Sequence, residues 1–495
     1  MGFNLNLLLI IPMMTLAGIL ITKDSGKARV VAAIGMSVQL LLVMWLWVAF
    51  AAERNSGNEA EVLFLQDYIW FKSLNIHYAI GVDGISVGMI VLTGVIIFTG
   101  VFASWTLKEL PKEFFMWLIL LSTGVFGFFI SLDMFTLFLF FEIAVIPMYL
   151  LIGIWGTGRK EYAAMKLTLM LMGASAILIV GILGIYFNSS PDGNWTFNIL
   201  EISKTTIPLE AQMYFFPFIF IGFGVISALF PFHTWSPDGH ASAPTAVSML
   251  HAGVLMKLGG YGILKVGIYL LPEAATAMAD FFLLFVGIGV IYGALSAVMQ
   301  NDLKYINAYS SVSHVGLILF GLLMLTKTAL TGAVLQMISH GLITALFFGL
   351  IGMIYSRTHT RIVGEMRGLL KVMPFLSAAY VIAGLASLGL PGFSGFVAEI
   401  TIFIGAFVHV ETYYRVFTVI AVASIVVAAV YILRVIGKML MGELKDETYK
   451  QLTDASWHEK VVVVTLILCI TAIGMAPFAL TELIRSSLEP IMMRF

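Results

Sequence analysis

PTAVSMLHAGVLMKLGGYGILKVGIYL, residues 244–270, decides the architecture. It is an apolar run longer than the ~20 residues a membrane crossing needs, and it carries a lysine, Lys257, well inside it. The rest of the chain reads the same way. Of its 495 residues, 60% are hydrophobic and 11% charged, against about 25% charged in soluble proteins. A soluble chain of this length would divide into domains with polar surfaces. Here the charges gather in short gaps between apolar runs, which predicts an all-α, polytopic bundle of membrane-spanning helices. The net charge of −1 and the lack of a basic tract give no indication of nucleic-acid binding. The single cysteine, Cys469, lies in an apolar run and excludes disulfides and cysteine metal sites within the chain. Met1–Thr22 lacks a basic start and a small-residue cleavage site, so it reads as a retained first helix, not a removable signal.

About fourteen spans are expected, at 4–22, 30–51, 80–105, 114–131, 134–155, 164–187, 212–232, 244–270, 280–299, 303–325, 328–355, 373–408, 414–440 and 460–483. The segment 373–408 is too long for one straight crossing and contains Gly389, Pro391, Gly392 and Gly395, which predicts an interruption. Pro231, with Pro237 and Pro244 close behind, predicts a second one. The polar stretches near 52–79, 188–210 and 441–459 are expected to be loops or surface helices. With both termini outside the membrane, seventeen Lys and Arg fall on the cytoplasmic side and seven outside, as the positive-inside rule requires. Lys166, Lys257 and Lys265 remain in apolar runs. Helices four to eight and nine to thirteen each have an interrupted fourth member. Five is odd, so the two units would be inverted repeats, a transporter arrangement whose breaks point to the ion path. The expected divisions are residues 1–110, helices one to three; 111–272, the first repeat; 273–442, the second; and 443–495, a surface segment and helix fourteen.

Ionisable groups inside a bilayer are costly, so each one needs a reason. Glu142 follows the uncharged run Met134–Phe141, and Glu399 follows the second break. Burial opposes the charge of Lys257, and a nearby carboxylate would favour it; a lysine poised between the two can accept and release a proton. His340 and His314 lie within helices of the second half, and histidine relays protons near neutral pH. His251, six positions before Lys257, faces another side of the helix. His233 and His240 flank the first break and are expected to cap backbone groups freed there. Lys265 and Lys166 are expected to snorkel toward an interface. Arg434 and Lys438 close a helix where its dipole favours them. No compact histidine–carboxylate pair suggests a metal, and there is no dinucleotide loop or P-loop.

Several stretches together carry a family resemblance: FEIAVIPMYLLIGIWG (141–156), PFHTWSPDGHASAPTAVSMLHAGVLMKLGGYGI (231–263), NDLKYINAYSSVSHVGLIL (301–319), ISHGLITALFF (338–348) and GLASLGLPGFSGFVAEITIFIGAF (384–407). GVDGIS (81–86) and YILRVIGKMLMGE (431–443) fit as well. Over nearly its whole length the chain resembles the antiporter-like M, or chain 4, subunits of proton-pumping NADH:quinone oxidoreductase, respiratory complex I. The resemblance implies that Glu142, Lys257 and Glu399 belong to a polar axis in the membrane plane, with His340 a connector between half-channels. One position departs from the pattern. The family has a lysine in the broken seventh helix; GFGVISALFPFHTW (222–235) has Ile226 there, followed by Ser227. Glu142 thus lacks its expected cation, and another chain or helix, water, or a different coupling in the first half takes that role.

The resemblance implies a translocase subunit in the inner, cytoplasmic membrane, moving protons or sodium ions while quinone reduction proceeds elsewhere in the complex. It would hold no redox centre itself; NAD, flavin, iron–sulfur clusters and quinone would belong to partner subunits. In this reading Glu142 and Lys257 act as a pair, and Lys257 passes its proton through His314 and His340 to Glu399. The alternatives are a subunit of a multi-chain sodium/proton antiporter or membrane-bound hydrogenase, and an inert scaffold.

Overall fold

With no water in the bilayer interior, each apolar segment must satisfy its own backbone N–H and C=O groups, and the helix does so. The computed structural model describes residues 2–190 and 192–495; Met1, at the head of the expected first helix, lies outside them. Among the described residues, twelve helices are long and apolar enough to cross a membrane. Three shorter apolar helices, Leu7–Ile21, Pro374–Ser387 and Ser394–Ala406, accompany them. Every expected segment overlaps one of these helices, and 373–408 resolves into the last two. The window of Thr245–Ile268 is 100% enclosed and that of Lys327–Thr358 94%, whereas that of Trp457–Met475 is 33% enclosed. The first two are therefore the interior of the bundle, and the third faces outward.

Both interruptions are present. In the first, Leu209–Ile226 stops and Trp235–Ser242 resumes after a turn containing Ala228 in the left-handed region (φ 53°). The Trp235 indole donates to the carbonyl of Val225, freed at that stop, at 3.1 Å. In the second, the chain between Pro374–Ser387 and Ser394–Ala406 turns at Gly389 (φ 64°) and Gly392 (φ 98°). Side-chain-bearing residues seldom adopt those angles, which is why glycine stands there.

The helix of Lys257 is itself irregular. Two wide π-helical turns, His251–Leu255 and Ile263–Ile268, bracket the regular piece Met256–Gly262. Such turns insert a residue and re-aim the side chains around them.

Several expectations need correction. The stretch 52–79 is not loop or surface helix: Leu63–Phe71 (β1) pairs antiparallel with Ile76–Val82 (β2), so the all-α bundle carries one hairpin. The run LFLQDYIWF is rich in aromatic and branched residues, and Asn75 supplies the left-handed turn position (φ 51°). The third helix accordingly begins at Gly84, capped by Asp83, and not near residue 80. The span expected over 460–483 ends at Met475, and Phe478–Met492 forms a separate helix after Pro477. Its buried residues Leu480, Leu483, Ile484, Leu488 and Ile491 follow helical spacing, so it lies against the bundle on one face.

Candidate functional site

Lys257 is 1% exposed, enclosed within the bundle. Its ammonium donates to the carbonyl of Ala252, within the first wide turn, and lies 2.9 Å from Nδ1 of His340. His340 sits midway along Lys327–Thr358, and its ring stacks on that of His314, with centroids 5.2 Å apart and planes 10° from parallel. Nδ1 of His314 is 2.9 Å from the carbonyl of Ser310. A carbonyl only accepts, so Nδ1 holds the proton and Nε2 of the neutral ring is left as acceptor. That Nε2 lies 3.7 Å from Oε1 of Glu399, five positions past Ser394, where the helix resumes after the second break. Beside this last gap, a cavity of about 10 Å³ lined by Ser313, His314, Ser387 and Glu399 is at the threshold for one water.

The structure thus brings four of the five candidates into one line across the second half of the bundle. Each comes from a different helix: Lys257 from Thr245–Ile268, His314 from Leu303–Leu323, His340 from Lys327–Thr358 and Glu399 from Ser394–Ala406. Lys257 and His340 are within direct proton-transfer distance, and the step on to His314 and the 3.7 Å gap to Glu399 call for a water as carrier.

Glu142 stands apart. It is half-buried on Met134–Trp155, and its carboxylate accepts a hydrogen bond from Ser175. The expected direct pairing with Lys257 is absent, because the first wide turn aims the ammonium at Ala252 and His340. Among the described residues Glu142 has no ion pair. Ile226 is buried, and the small cavity beside it is lined by Phe141, Val145, Leu171, Trp235 and His251, so no cation occupies that place.

Other charged and polar groups depart from expectation. Lys265 does not snorkel: it is buried and ion-paired with Asp83. Lys166 reaches Asp238 at 2.7 Å, which also accepts from the Tyr305 hydroxyl at 3.1 Å. His240 does not cap a freed backbone group: its ring lies 4.1 Å from that of His251, with Nε2 near the Met256 sulfur, while His233 packs against Phe230 and Tyr292 beside the Pro231 backbone. Arg434 donates to the carbonyls of Val298 and Gln300, closing the neighbouring helix. Lys304, counted from sequence among the cytoplasmic ends, is 5% exposed and donates to the carbonyl of Ala243. The preceding Asp302 caps the helix start and fixes Lys304 in the first turn, but nothing in the sequence marks it as buried. No group of three or more metal-ligating side chains occurs among the described residues.

Residues 131–427 match the family model described as NADH:quinone oxidoreductase/Mrp antiporter, transmembrane. The chain is 35% identical over 97% of its length to NAD(P)H-quinone oxidoreductase chain 4 1 of Synechococcus sp. (strain JA-2-3B'a(2-13)), covering 90% of that protein. It is 33% identical over 96% of its length to NADH-quinone oxidoreductase subunit M of Rickettsia prowazekii, covering 94% of that protein. In three dimensions it superposes on a chain of respiratory complex I from Thermus thermophilus with a TM-score of 0.88, covering 98% of this chain and 99% of that one at 23% identity. With a family model spanning both interruptions and full-length relatives of one kind, the chain belongs to the NADH:quinone oxidoreductase/Mrp antiporter membrane family, among the chain 4 and subunit M members.

Proposed function

We propose that this chain is a proton-translocating membrane-arm subunit of an NADH:quinone oxidoreductase-type complex, moving protons along Lys257, His340, His314 and Glu399. The observation that carries the reading is the juxtaposition of these four buried groups: 2.9 Å from lysine to histidine, a parallel ring stack, and 3.7 Å from histidine to carboxylate beside a space at the threshold for one water. Buried ionisable groups are expensive in a membrane, and an inert scaffold has no use for four in register. The low-dielectric interior makes each charge strongly felt by the next, so a charge shift in a neighbouring subunit moves the proton on Lys257. Glu142, half-buried at the flank, is the group that receives such a shift, and Glu399 exchanges with the outer side or with the next subunit. Quinone reduction occurs elsewhere in the complex, and NAD, flavin, iron–sulfur and quinone sites belong to partner subunits. The full-length chain 4 and subunit M relatives favour a redox-driven complex over a sodium/proton antiporter. The chain lies in the inner membrane with both termini outside, by the bias of its basic residues.

Lys257→Ala tests the reading. The complex assembles, and its proton-to-electron ratio drops because this chain no longer carries its share. An unchanged ratio in an assembled Lys257→Ala complex sinks the proposal.

A further inference from the structure

A cavity of about 320 Å³ opens at one end of the bundle, on the face that the basic-residue bias assigns to the cytoplasm. It is lined by the turn after Gly84–Ala103, by Ala243–Thr245, and by Lys304 and Arg361. Lys304 borders it as a nearly enclosed ammonium, bonded to the Ala243 carbonyl. The charges around it are Lys108 and Arg361 on the cavity wall, and Asp302, which pairs with Arg361 at 3.2 Å. From Lys304 a set of buried polar side chains runs inward. Asn307 donates to the Thr344 hydroxyl at 3.4 Å, and that hydroxyl is 3.1 Å from the Ser311 hydroxyl. Thr344 lies one turn from His340 on its helix, and Ser311 lies three residues from His314. Lys304, Asn307, Ser311 and His314 recur at intervals of three and four, so they share one helix face. Ten residues of helix cover ~15 Å, half of a hydrocarbon core of about 30 Å. Polar groups buried in a bilayer-spanning helix cost free energy unless they are hydrogen-bonded or used. Asn307, Thr344 and Ser311 are bonded to one another, one turn from Lys304 at the cavity on one side and one turn from the stacked histidines on the other.

We propose that Lys304 and the Asn307–Thr344–Ser311 row are the proton uptake path into the relay, with Lys304 as its entry. The proposal rests on the proton-carrying reading of the chain. Lys304 takes a proton from cavity water and releases one to water or hydroxyl on the inner side, so only N–H and O–H bonds change. The hydroxyls of Thr344 and Ser311 each donate and accept, and pass it to the histidine stack.

The test is redox-driven proton uptake by the assembled complex in inverted membrane vesicles, comparing Lys304→Met, Lys304→Arg, Asn307→Leu and Lys257→Met. Lys304→Met and Asn307→Leu lose as much proton uptake per electron as Lys257→Met does. Lys304→Arg, whose guanidinium keeps the charge but does not release its proton, loses as much uptake as Lys304→Met. Full uptake in Lys304→Met and Asn307→Leu, beside a defective Lys257→Met, overturns the path alone. Full uptake in Lys257→Met as well overturns the proton-carrying reading instead. Should Lys304→Met fail to assemble, Asn307→Leu decides, since Asn307 holds no loop in place.

Discussion

At Lys265 the charge is answered by Asp83, 182 residues earlier in the chain. Neither residue reveals the other in the sequence: a lysine near a helix end reads as one that snorkels, and Asp83 reads as a helix cap, which it also is. Removing one partner leaves a buried charge uncompensated, at a cost of about 3–5 kcal/mol. Asp83→Asn and Lys265→Met are each expected to lower the melting temperature of the assembled complex, and the double variant to lose less than the two losses combined. Additive losses would show that the two charges do not act as a pair. Lys257, Glu399, His314 and His340 were legible for a simple reason. A charge or imidazole inside a bilayer-length apolar run is costly and so stands out as needing a partner or a role. Lys304 was not, because its burial depends on Ala243 and the turn before Thr245, which cover it only in three dimensions.

Helices were legible as elements because apolar length alone specifies them in a membrane, and the two breaks because proline and glycine punctuate them. The wide turns around Lys257 carried no such mark: GVL and VGI look like any apolar helix. The β1–β2 hairpin was hidden for the opposite reason, since its aromatic run is short and followed by a polar turn. At the second break, Gly389 does more than turn the chain. A Cβ there would lie 2.7 Å from Oε2 of Glu399, and the left-handed angle costs a side-chain-bearing residue about 1–2 kcal/mol. Gly392 has the larger positive angle, and a Cβ on it would meet nothing within 4 Å. Gly389→Ala is therefore expected to reduce proton transfer by displacing Glu399, and Gly392→Ala to strain the turn while leaving transfer near normal. Equal loss in both would assign the effect to the backbone and not to the carboxylate.

Across the molecule, the enclosed helices hold Lys257, His314 and His340, and the outer ones face lipid or other chains. Glu142 shares its helix with Ile146, 60% exposed, and Tyr149, 38% exposed. A carboxylate on such a flank is tolerable in a membrane only if protein covers it, which fits a chain that works inside a larger assembly. A mild-detergent pull-down is expected to recover iron–sulfur and quinone-site subunits together with other antiporter-like chains. Recovery of antiporter-like chains alone would place the protein in a secondary antiporter. The cavities also have a pharmacological meaning. The space beside His314 and Glu399 is about 10 Å³, and that near Ser310 and Tyr431 about 20 Å³, far below the size of any drug. The 320 Å³ mouth beside Lys304 is wide enough for a small compound to sit in as a stopper, leaving the buried side chains behind it in place.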